Sequence, residues 1–421
     1  MKRLISVSLG LVLSTFISKA NSWPQFRGEG GAATLKEAQA IPMDWSETTH
    51  LKWKTALPGP GSSSPVFWDD RIFVTCYVGY GTDPKEPGNP EDLGRQLLCL
   101  KRSSGKILWK RSIELKNPED DYRGYIMEHG YASSSPVTDG VNVYAFVGKS
   151  GVHAFDMEGQ PVWSKQVGKQ SANRRWGSGA SPILHADLLI VNAADEGRAL
   201  IAFDKTTGEE RWRKESKALE LAYGTPVLRD QKDGSSELMI AMPGEVWSLS
   251  PLSGEVLWTV PTEMPGNVCP TMVTTSEMAF AFGGYPKKIS LGIRDGKVVW
   301  TGKSTTYVPT PLEYDGHLYW VNDDAEAICM NAETGELVTK QKVEGLVGSK
   351  KRSFYASMVR AGDKLIAVSR KSGVFIFEAS PEMKQVGQNR FEDSSDFNAT
   401  PALAEDALYL RSNRFIYAVA K

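Results

Sequence analysis

The stretch Ala202–Trp212, AFDKTTGEERW, is the clearest copy of a unit that recurs along most of this 421-residue chain. An apolar run leads to Asp204, the pair Thr207-Gly208 follows, and Trp212 closes the unit. The closing tryptophans of the series are Trp53, Trp109, Trp163, Trp212, Trp258 and Trp300. A unit that recurs at a steady interval indicates a repeat architecture, and the interval decides which one.

A second marker opens the units: Ser or Thr, then Pro, then an apolar residue, with altered forms at Cys269-Pro270-Thr271 and Ser357-Met358-Val359. The proline positions, one of them occupied by methionine, are Pro65, Pro136, Pro182, Pro226, Pro270, Pro311, Met358 and Pro401. The interval is 71 residues between the first two and 41 to 47 residues between the others. An interval in the forties with several short strands is typical of a propeller blade. The sequence therefore predicts an all-β fold, an eight-bladed β-propeller of four-stranded antiparallel blades.

The two ends of the repeat predict how the ring closes. The last unit, Thr400–Lys421, stops after its third strand, whereas Leu51–Trp53 has a closing tryptophan and no strands before it. An unpaired sheet edge would be open to association with other chains. We therefore expect the N-terminal strand to join the C-terminal blade.

The N-terminus predicts export. Lys2 and Arg3 precede an apolar run, and Ser18 and Ala20 place small residues at a cleavage site, which is the pattern of a secretory signal peptide. That run is too short for a stable membrane span, and no later segment is apolar enough for one. The expected organisation is a signal peptide at 1–20, a lead-in at 21–50 packed on the propeller, and the propeller at 51–421. We expect a periplasmic or extracellular protein.

Charge and cysteine content narrow the function. The chain has 49 basic and 50 acidic residues, and removing residues 1–20 leaves 46 and 50. A nucleic-acid-binding domain normally carries a basic surplus, so we expect no nucleic-acid partner.

An exported protein can form disulfides, and Cys76 and Cys99 fall on successive strands of one blade. The spacing of these two and of Cys269 and Cys329 does not resemble a zinc site, and buried free thiols are the simplest expectation.

The pattern Ala-x-Asp-x-x-Thr-Gly-x-x-x-Trp, complete at Ala202–Trp212, resembles the docking motif of PQQ-like (quinoprotein-type) β-propellers. Partial copies lie at Cys99–Trp109, Ala154–Trp163, Ser248–Trp258 and Cys329–Thr339. The resemblance implies a ring in which each tryptophan stacks on a turn of the neighbouring blade. The six closing tryptophans are therefore expected to be structural docking residues.

The resemblance leaves two branches open. One branch contains quinone- and Ca²⁺-dependent alcohol and glucose dehydrogenases, many of which carry adjacent cysteines, an Asp base and Glu, Asn and Asp on the Ca²⁺. The other is the propeller of the outer-membrane β-barrel assembly machine, which binds protein and no cofactor and is normally a lipoprotein. This chain has no adjacent cysteines, and none lies near the cleavage site. We therefore expect the non-catalytic exported branch, without a cofactor, and keep PQQ with Ca²⁺ as the alternative.

The segments that lead into the innermost strands should line one mouth of the channel. Three residues before each proline position stand Ser62, Ser133, Gly179, Tyr223, Asn267, Val308, Tyr355 and Asn398. Basic and aromatic residues lie beside them, and these types are enriched at interface hot spots. The candidate binding face consists of His129, Arg174, Arg175, Trp176, Tyr223, Asn267, Tyr307, Lys351, Arg352, Tyr355 and Asn398. In the alternative interpretation the hydroxyls and amides satisfy backbone groups and the basic residues are simply solvated.

Two long inserts, Gly79–Arg95 and Asn117–Tyr131, are expected on that same face, because inserts in a repeat array usually share one face. No nucleophile motif accompanies His129, and the acidic pair Asp323-Asp324 is more typical of a solvated loop than of a cation site.

The predicted function is a monomeric, non-catalytic scaffold that binds a protein or peptide at one channel mouth. The alternatives are a quinone-dependent dehydrogenase and a carbohydrate-binding propeller.

Overall fold

The computed structural model describes residues 22–38, 40–349 and 351–421. Eight sheets follow one another along these ranges and form an eight-bladed β-propeller, so the predicted fold is confirmed. Residues 1–20, predicted to be a signal peptide, lie outside the described residues. None of the described helices is long and apolar enough to cross a membrane.

Each blade has four antiparallel strands, which in blades 1 to 7 follow chain order from the channel to the rim. The strands of blades 1 and 2 are Val66–Trp68, Arg71–Val78, Gly94–Lys101 and Ile107–Ile113, then Val137–Thr138, Asn142–Phe146, Val152–Asp156 and Pro161–Lys165. Those of blades 3 and 4 are Ile183–His185, Leu188–Ala193, Ala199–Asp204 and Glu210–Glu215, then Val227–Asp230, Ser236–Met242, Glu245–Leu249 and Val256–Pro261. Those of blades 5 and 6 are Val273–Thr274, Ala279–Gly283, Ile289–Arg294 and Lys297–Gly302, then Leu312–Tyr314, His317–Val321, Glu326–Asn331 and Leu337–Lys342.

Blade 7 is built like the preceding blades, whereas blade 8 contains both ends of the propeller. Blade 7 consists of Val359–Ala361, Lys364–Ser369, Gly373–Glu378 and Gln385–Asn389. Blade 8 consists of Ala402–Leu403, Ala407–Arg411, Phe415–Ala420 and, as its rim strand, Leu51–Ala56. Within the described ranges six short helical turns lie in the lead-in and the connections: Glu29–Gly31, Pro90–Asp92, Ile126–His129, Gly148–Ser150, Ala194–Gly197 and Lys217–Leu219.

The burial of each strand follows from its place in the blade. The middle strands are covered by neighbouring blades on both faces, and Leu188–Ala193 is buried along its whole length. Such a strand is a continuous apolar run in the sequence. The rim strand Glu210–Glu215 buries only Trp212 fully and exposes charged residues on either side of it. The apolar core therefore lies between blades, near mid-radius.

The ring closes in the way that the two ends of the repeat predict. Leu51–Ala56 pairs antiparallel with Phe415–Ala420 and places Trp53 opposite Ala418. The two ends of the propeller are thereby held in one sheet, which leaves no unpaired strand at the junction.

In six of the eight blades a closing tryptophan joins the rim strand to the next blade. Trp212 is buried, its indole N–H donates to the carbonyl of Pro251 at 3.0 Å, and its ring lies against Gly254. A Cβ on Gly254 would lie 2.5 Å from that ring, and the glycine has φ 70°, so no other residue fits this turn. Trp53, Trp109, Trp163 and Trp300 make the same contact, donating to the carbonyls of Arg102, Met157, Lys205 and Ala332.

Trp258 departs from this pattern. The facing turn of blade 5 has only Asp295 and Gly296 between its strands, both with positive φ, as in a two-residue hairpin. The shorter turn brings no carbonyl to the indole, and Trp258 instead donates to Glu237 of its own blade at 3.3 Å. The dock between blades 4 and 5 is therefore the weaker one.

A ring of hydroxyls joins the blades at the channel. The backbone N–H of Ser181 donates to the hydroxyl of Thr225 at 2.9 Å, and the N–H of Ser135 donates to the hydroxyl of Ser181 at 3.0 Å. The same bond is repeated around the whole ring and returns from Thr400 to Ser64 at 3.0 Å. The eight members are Ser64, Ser135, Ser181, Thr225, Thr271, Thr310, Ser357 and Thr400.

The lead-in crosses the channel at the end of the inner strands. Ser22–Trp23 pairs with the inner strand of blade 1, and Thr34–Leu35 pairs in parallel with that of blade 7. Between them the buried Arg27 donates to the carbonyls of Thr310 and Pro311 at 2.9 and 2.6 Å. Residues 22–35 therefore close one mouth of the channel; we call this segment the plug.

The four cysteines are free thiols, and Cys76, Cys99 and Cys329 are buried. Cys99 pairs across the sheet with Phe73, whereas Cys76 pairs with Gln96. This register keeps Cys76 and Cys99 apart, so the bridge that the sequence left open does not form.

The two kinds of tryptophan dock predict different costs of truncation. We expect Trp212→Ala to destabilise the protein by ~3–5 kcal/mol, the usual cost of removing a buried Trp. Trp258→Ala should cost clearly less, because that indole has no carbonyl partner on the next blade. Urea unfolding of both variants measures the difference, and equal losses would contradict this account of the short turn.

The hydroxyl ring predicts a second stability effect. Ser181→Ala leaves the buried N–H of Ser135 without an acceptor and should cost ~1–3 kcal/mol. Ser181→Thr is the matched control, because Thr holds the same place in four other blades, and it should lie within ~1 kcal/mol of the wild type. An alanine variant as stable as the threonine variant would show that the ring does not join the blades.

Candidate functional site

The second mouth of the channel is covered by the insert Asn117–Tyr131, which we call the lid. Asn398 of blade 8 donates to the carbonyl of Glu128 at 2.7 Å, and Ser62 of blade 1 donates to the carbonyl of His129 at 2.9 Å. The carboxylate of Glu128 pairs with Arg370 of blade 7 at 2.7 Å. The lid is therefore tied across the ring rather than standing free above it.

The first insert supports the lid. The hydroxyl of Tyr80 accepts the backbone N–H of Tyr122 at 2.9 Å, and the two rings meet edge to face at 6.2 Å. Both inserts and the blade-to-blade connections lie on one side of the propeller, which we call the lid face. The opposite side, with the turns between third and fourth strands, is the turn face.

The plug and the lid enclose a central chamber of about 170 Å³. Phe26 of the plug lines it from one side, and Tyr125 and His129 of the lid line it from the other. Its wall has two tiers, and the first is the ring of eight hydroxyls. The second consists of Ser62, Ser133, Gly179, Tyr223, Cys269, Val308, Tyr355 and Asn398.

The sequence-based register of the wall is wrong in blade 5. Asn267 was expected in the second tier, but it is fully buried and donates to the hydroxyl of Tyr307 at 2.7 Å. The ring hydroxyl of this blade belongs to Thr271, which follows Pro270, whereas in the other units it precedes the proline position. The wall residue two positions before it is therefore Cys269.

The residues expected to form one binding face are divided between rim and wall. Arg174, Arg175, Lys351 and Arg352 are exposed on the lid face. The half-buried members are His129, Trp176, Tyr223 and Asn398, and the buried ones are Asn267, Tyr307 and Tyr355. The basic residues thus form an outer surface, while most of the aromatic and amide residues face inward.

A chain of aromatic contacts connects the surface with the chamber. It runs from Tyr285 to Tyr307 at 5.8 Å, to Tyr125 at 5.9 Å, to Trp176 at 4.3 Å and to Tyr223 at 5.7 Å between ring centroids. Tyr285 is 51% exposed. The candidate face did not include Tyr125 or Tyr285, because neither has a counterpart in the repeat.

The chamber wall carries no formal charge at neutral pH. Of the described residues that line it, none is Asp, Glu, Lys or Arg. The Nδ1 atom of His129 lies 2.5 Å from the hydroxyl of Ser133, and burial lowers the pKa of this imidazole to about 4. A general base works best with a pKa near the operating pH, so this pair is poorly suited to hydrolysis.

The donor set also does not fit a Ca²⁺-bound quinone. Ca²⁺ prefers six to eight oxygen ligands, usually with carboxylates among them. Asp323, part of the acidic pair noted in the sequence, instead pairs with Lys288 at 3.1 Å and accepts the N–H of Tyr307. No group of three His, Cys, Asp or Glu side chains in the described ranges is arranged to hold a metal.

A buried acidic pair lies beside the lid, and no sequence motif marks it. Glu196 accepts a hydrogen bond from Ser178 at 2.5 Å, while its second oxygen and one oxygen of Asp195 have no hydrogen-bond partner in the part of the chain that the structure describes. Burial raises the pKa of Glu196 to about 8, and the neighbouring charge of Asp195 contributes to the rise. The ion pairs Arg95–Glu119 at 2.9 Å and Lys149–Asp120 at 3.3 Å anchor the lid next to them.

Glu196 makes stability depend on pH. The folded protein holds this proton more tightly than the unfolded chain, so stability should fall as pH rises between about 5 and 8. We expect Glu196→Gln to reduce this loss by on the order of 1 kcal/mol. Denaturant midpoints at about pH 5 and about pH 8 measure the loss of stability. The exposed Glu209→Gln is the control. Parallel profiles for wild type and Glu196→Gln would refute the assignment.

The comparisons with known proteins agree with the fold. The family model described as outer membrane protein assembly factor BamB matches residues 91–232 and 242–420. No curated protein sequence matches the chain. Among solved structures, BamB from Moraxella catarrhalis has a TM-score of 0.61 at 12% identity, covering 88% of this chain and 99% of that one.

A second similar structure belongs to the other branch. The quinohemoprotein alcohol dehydrogenase from Comamonas testosteroni has a TM-score of 0.61 at 10% identity, covering 94% of this chain and 80% of that one. A computationally designed protein, Ika8, has a TM-score of 0.57 at 10% identity, covering 87% and 98%. At these identities the structural likeness shows the fold alone, whereas the family match extends over most of the repeat. The chain belongs to the BamB-like family of PQQ-like β-propellers.

Proposed function

We propose that this protein is an exported, non-catalytic β-propeller scaffold that binds a protein or peptide partner on its lid face, in the periplasm or outside the cell. The family match supports a protein-binding role, since its description is that of an outer-membrane protein assembly factor. The signal-peptide pattern of residues 1–20 supports export.

The observation that carries the proposal is the composition of the lid face. Arg174, Arg175 and Lys351 are exposed, and in the described part of the chain none of them has an ion-pair partner. Apolar surface lies on the same face, since Met127 is 43% and Tyr285 51% exposed. Arginine and aromatic side chains dominate interface hot spots. A partner that offers carboxylates around an apolar segment would complement this surface.

The lid makes such a surface rigid before binding. It is held by the bonds to Asn398 and Ser62 and by the Glu128–Arg370 pair described above. A pre-ordered loop loses little conformational entropy on association, so more of the contact energy appears as affinity. The uncharged chamber wall disfavours the alternative, a quinone-dependent dehydrogenase using the channel.

Site-specific photocrosslinking tests the proposal in the producing organism. A photoreactive residue replaces Met127 on the lid face or, as control, Lys297 on the turn face. We expect a discrete polypeptide adduct at Met127 and none at Lys297. Adducts at both positions, or at neither, would contradict a specific partner site on the lid face.

Charge reversal then tests which residues hold the partner. Arg174→Glu, Arg175→Glu and Lys351→Glu together should reduce the Met127 adduct at least ~10-fold, the effect of losing ~1.4 kcal/mol of binding energy. Lys106→Glu, Lys297→Glu and Lys384→Glu are the matched control, with the same charge change at exposed positions away from the lid. An equal loss in both triple variants would show that only net charge matters.

A further inference from the structure

We propose that the central chamber is a binding site for one neutral pyranose ring, either a free monosaccharide or the terminal unit of a glycan. This site lies beneath the lid, separate from the basic surface of the lid face. The inference rests on unused hydrogen-bond donors, on the absence of charge, on aromatic surface and on size.

The wall offers hydrogen-bond donors that the protein leaves unused. Each hydroxyl of the eight-membered ring accepts a backbone N–H, and within the described part of the chain none of these hydroxyls donates its own proton to an acceptor. All eight line the chamber. A hydroxyl has one proton to give and two lone pairs to offer, so a ligand rich in oxygen would satisfy them.

Two tyrosines of the second tier point to a ligand independently of the ring. The hydroxyls of Tyr223 and Tyr355 are buried and have no hydrogen-bond partner among the described residues, and Tyr355 as a whole is only 8% exposed. Burying an unsatisfied polar group is unfavourable by ~1–3 kcal/mol. Both side chains line the chamber, and a small shift that opened either hydroxyl to it would let an oxygen-bearing occupant remove that penalty.

The absence of charge decides between an anion and a neutral ligand. No Arg or Lys lies among the described lining residues, and His129 is neutral at pH 7 because burial lowers its pKa to about 4. Moving an ionised group into such a site without a counter-charge is strongly unfavourable. The donors therefore fit the hydroxyl and ether oxygens of a neutral molecule.

Aromatic surface and size narrow the ligand to one ring. Trp176 and Tyr223 lie nearly stacked, with planes 29° apart, and both line the chamber. The negative face of an aromatic ring attracts the weakly positive C–H bonds of a sugar ring. The chamber of about 170 Å³ is close to the ~150 Å³ cavity that accommodates benzene and is far below a pocket for a drug-sized ligand.

The aromatic chain marks a route to the chamber. It begins at the exposed Tyr285 and ends at Tyr223 in the wall. Gly177 and Gly179 lie beside this route, and a Cβ on either would meet no atom within 4 Å. Open space therefore adjoins the wall next to Trp176, where a sugar could pass beneath the lid.

The test uses purified protein and defined sugars, so it does not depend on any protein partner. D-glucose, D-galactose and N-acetylglucosamine are titrated with saturation-transfer NMR and calorimetry as readouts. We expect at least one to bind with a Kd of ~1 mM or tighter. No binding of any of the three tighter than ~10 mM would overturn the proposal. Stronger binding of phosphate or glucuronate than of every neutral sugar would also overturn it.

Variants locate the sugar in the chamber. Tyr355→Phe removes one unpartnered hydroxyl and should weaken binding about five- to tenfold. Tyr314→Phe, a half-buried tyrosine under Arg360 and outside the chamber, is the control and should leave the Kd unchanged. Unchanged affinity in Tyr355→Phe would place the sugar elsewhere.

A blocking variant guards against a purely structural effect. Gly179→Phe fills the open space without backbone strain, because Gly179 has no positive φ, and should abolish binding while the melting temperature is retained. Full binding by Gly179→Phe would refute the chamber as the site. A trisaccharide of the bound sugar separates the two sources: equal affinity assigns the end of a glycan, and loss of affinity assigns the free monosaccharide.

Discussion

The ring of eight hydroxyl–backbone hydrogen bonds is the constraint on which the inner structure depends. Where eight inner strands converge, their first N–H groups have no strand partner, and buried N–H groups of this kind must be paired. A Ser or Thr from the next blade pairs each one, as Thr225 does for Ser181. Each bond therefore satisfies a backbone group and joins two blades at once. It also leaves each hydroxyl proton without an acceptor among the described residues, which gives the chamber its unused donors.

The tryptophan docks do at the rim what the hydroxyls do at the channel. An indole such as that of Trp212 spans the gap between blades with an apolar ring and a single donor, and it needs a glycine and a free carbonyl opposite. Because the hydroxyl ring and the tryptophan docks hold the blades together, the segments that cover the two mouths of the channel are free to differ from blade to blade. The plug and the lid use that freedom, and together they convert an open channel into an enclosed chamber.

Much of the fold and part of the site could be predicted from the sequence. The interval between markers predicted a propeller, their number predicted eight blades, and the isolated Trp53 predicted the closure onto the C-terminal blade. Seven of the eight expected second-tier residues line the chamber, and the exception, Asn267, arose from using the proline instead of the hydroxyl as reference. The hydroxyl is the better reference because it accepts the hydrogen bond from the neighbouring blade, whereas the proline makes no such bond.

The sequence by itself determined what repeats: the blade count, the rim docks and the closure, because each depends on contacts at a constant offset along the chain. Only the tertiary structure decided what does not repeat. The plug pairs residues 34–35 with strands more than three hundred positions away, and the lid brings Tyr125 to Tyr307. Glu196 is buried partly for the same reason: its hydrogen-bond partner Ser178 belongs to the same unit, but Gly148 of blade 2 lies against its carboxylate. Such contacts are set by how the closed ring places distant loops in space, and no local pattern encodes them.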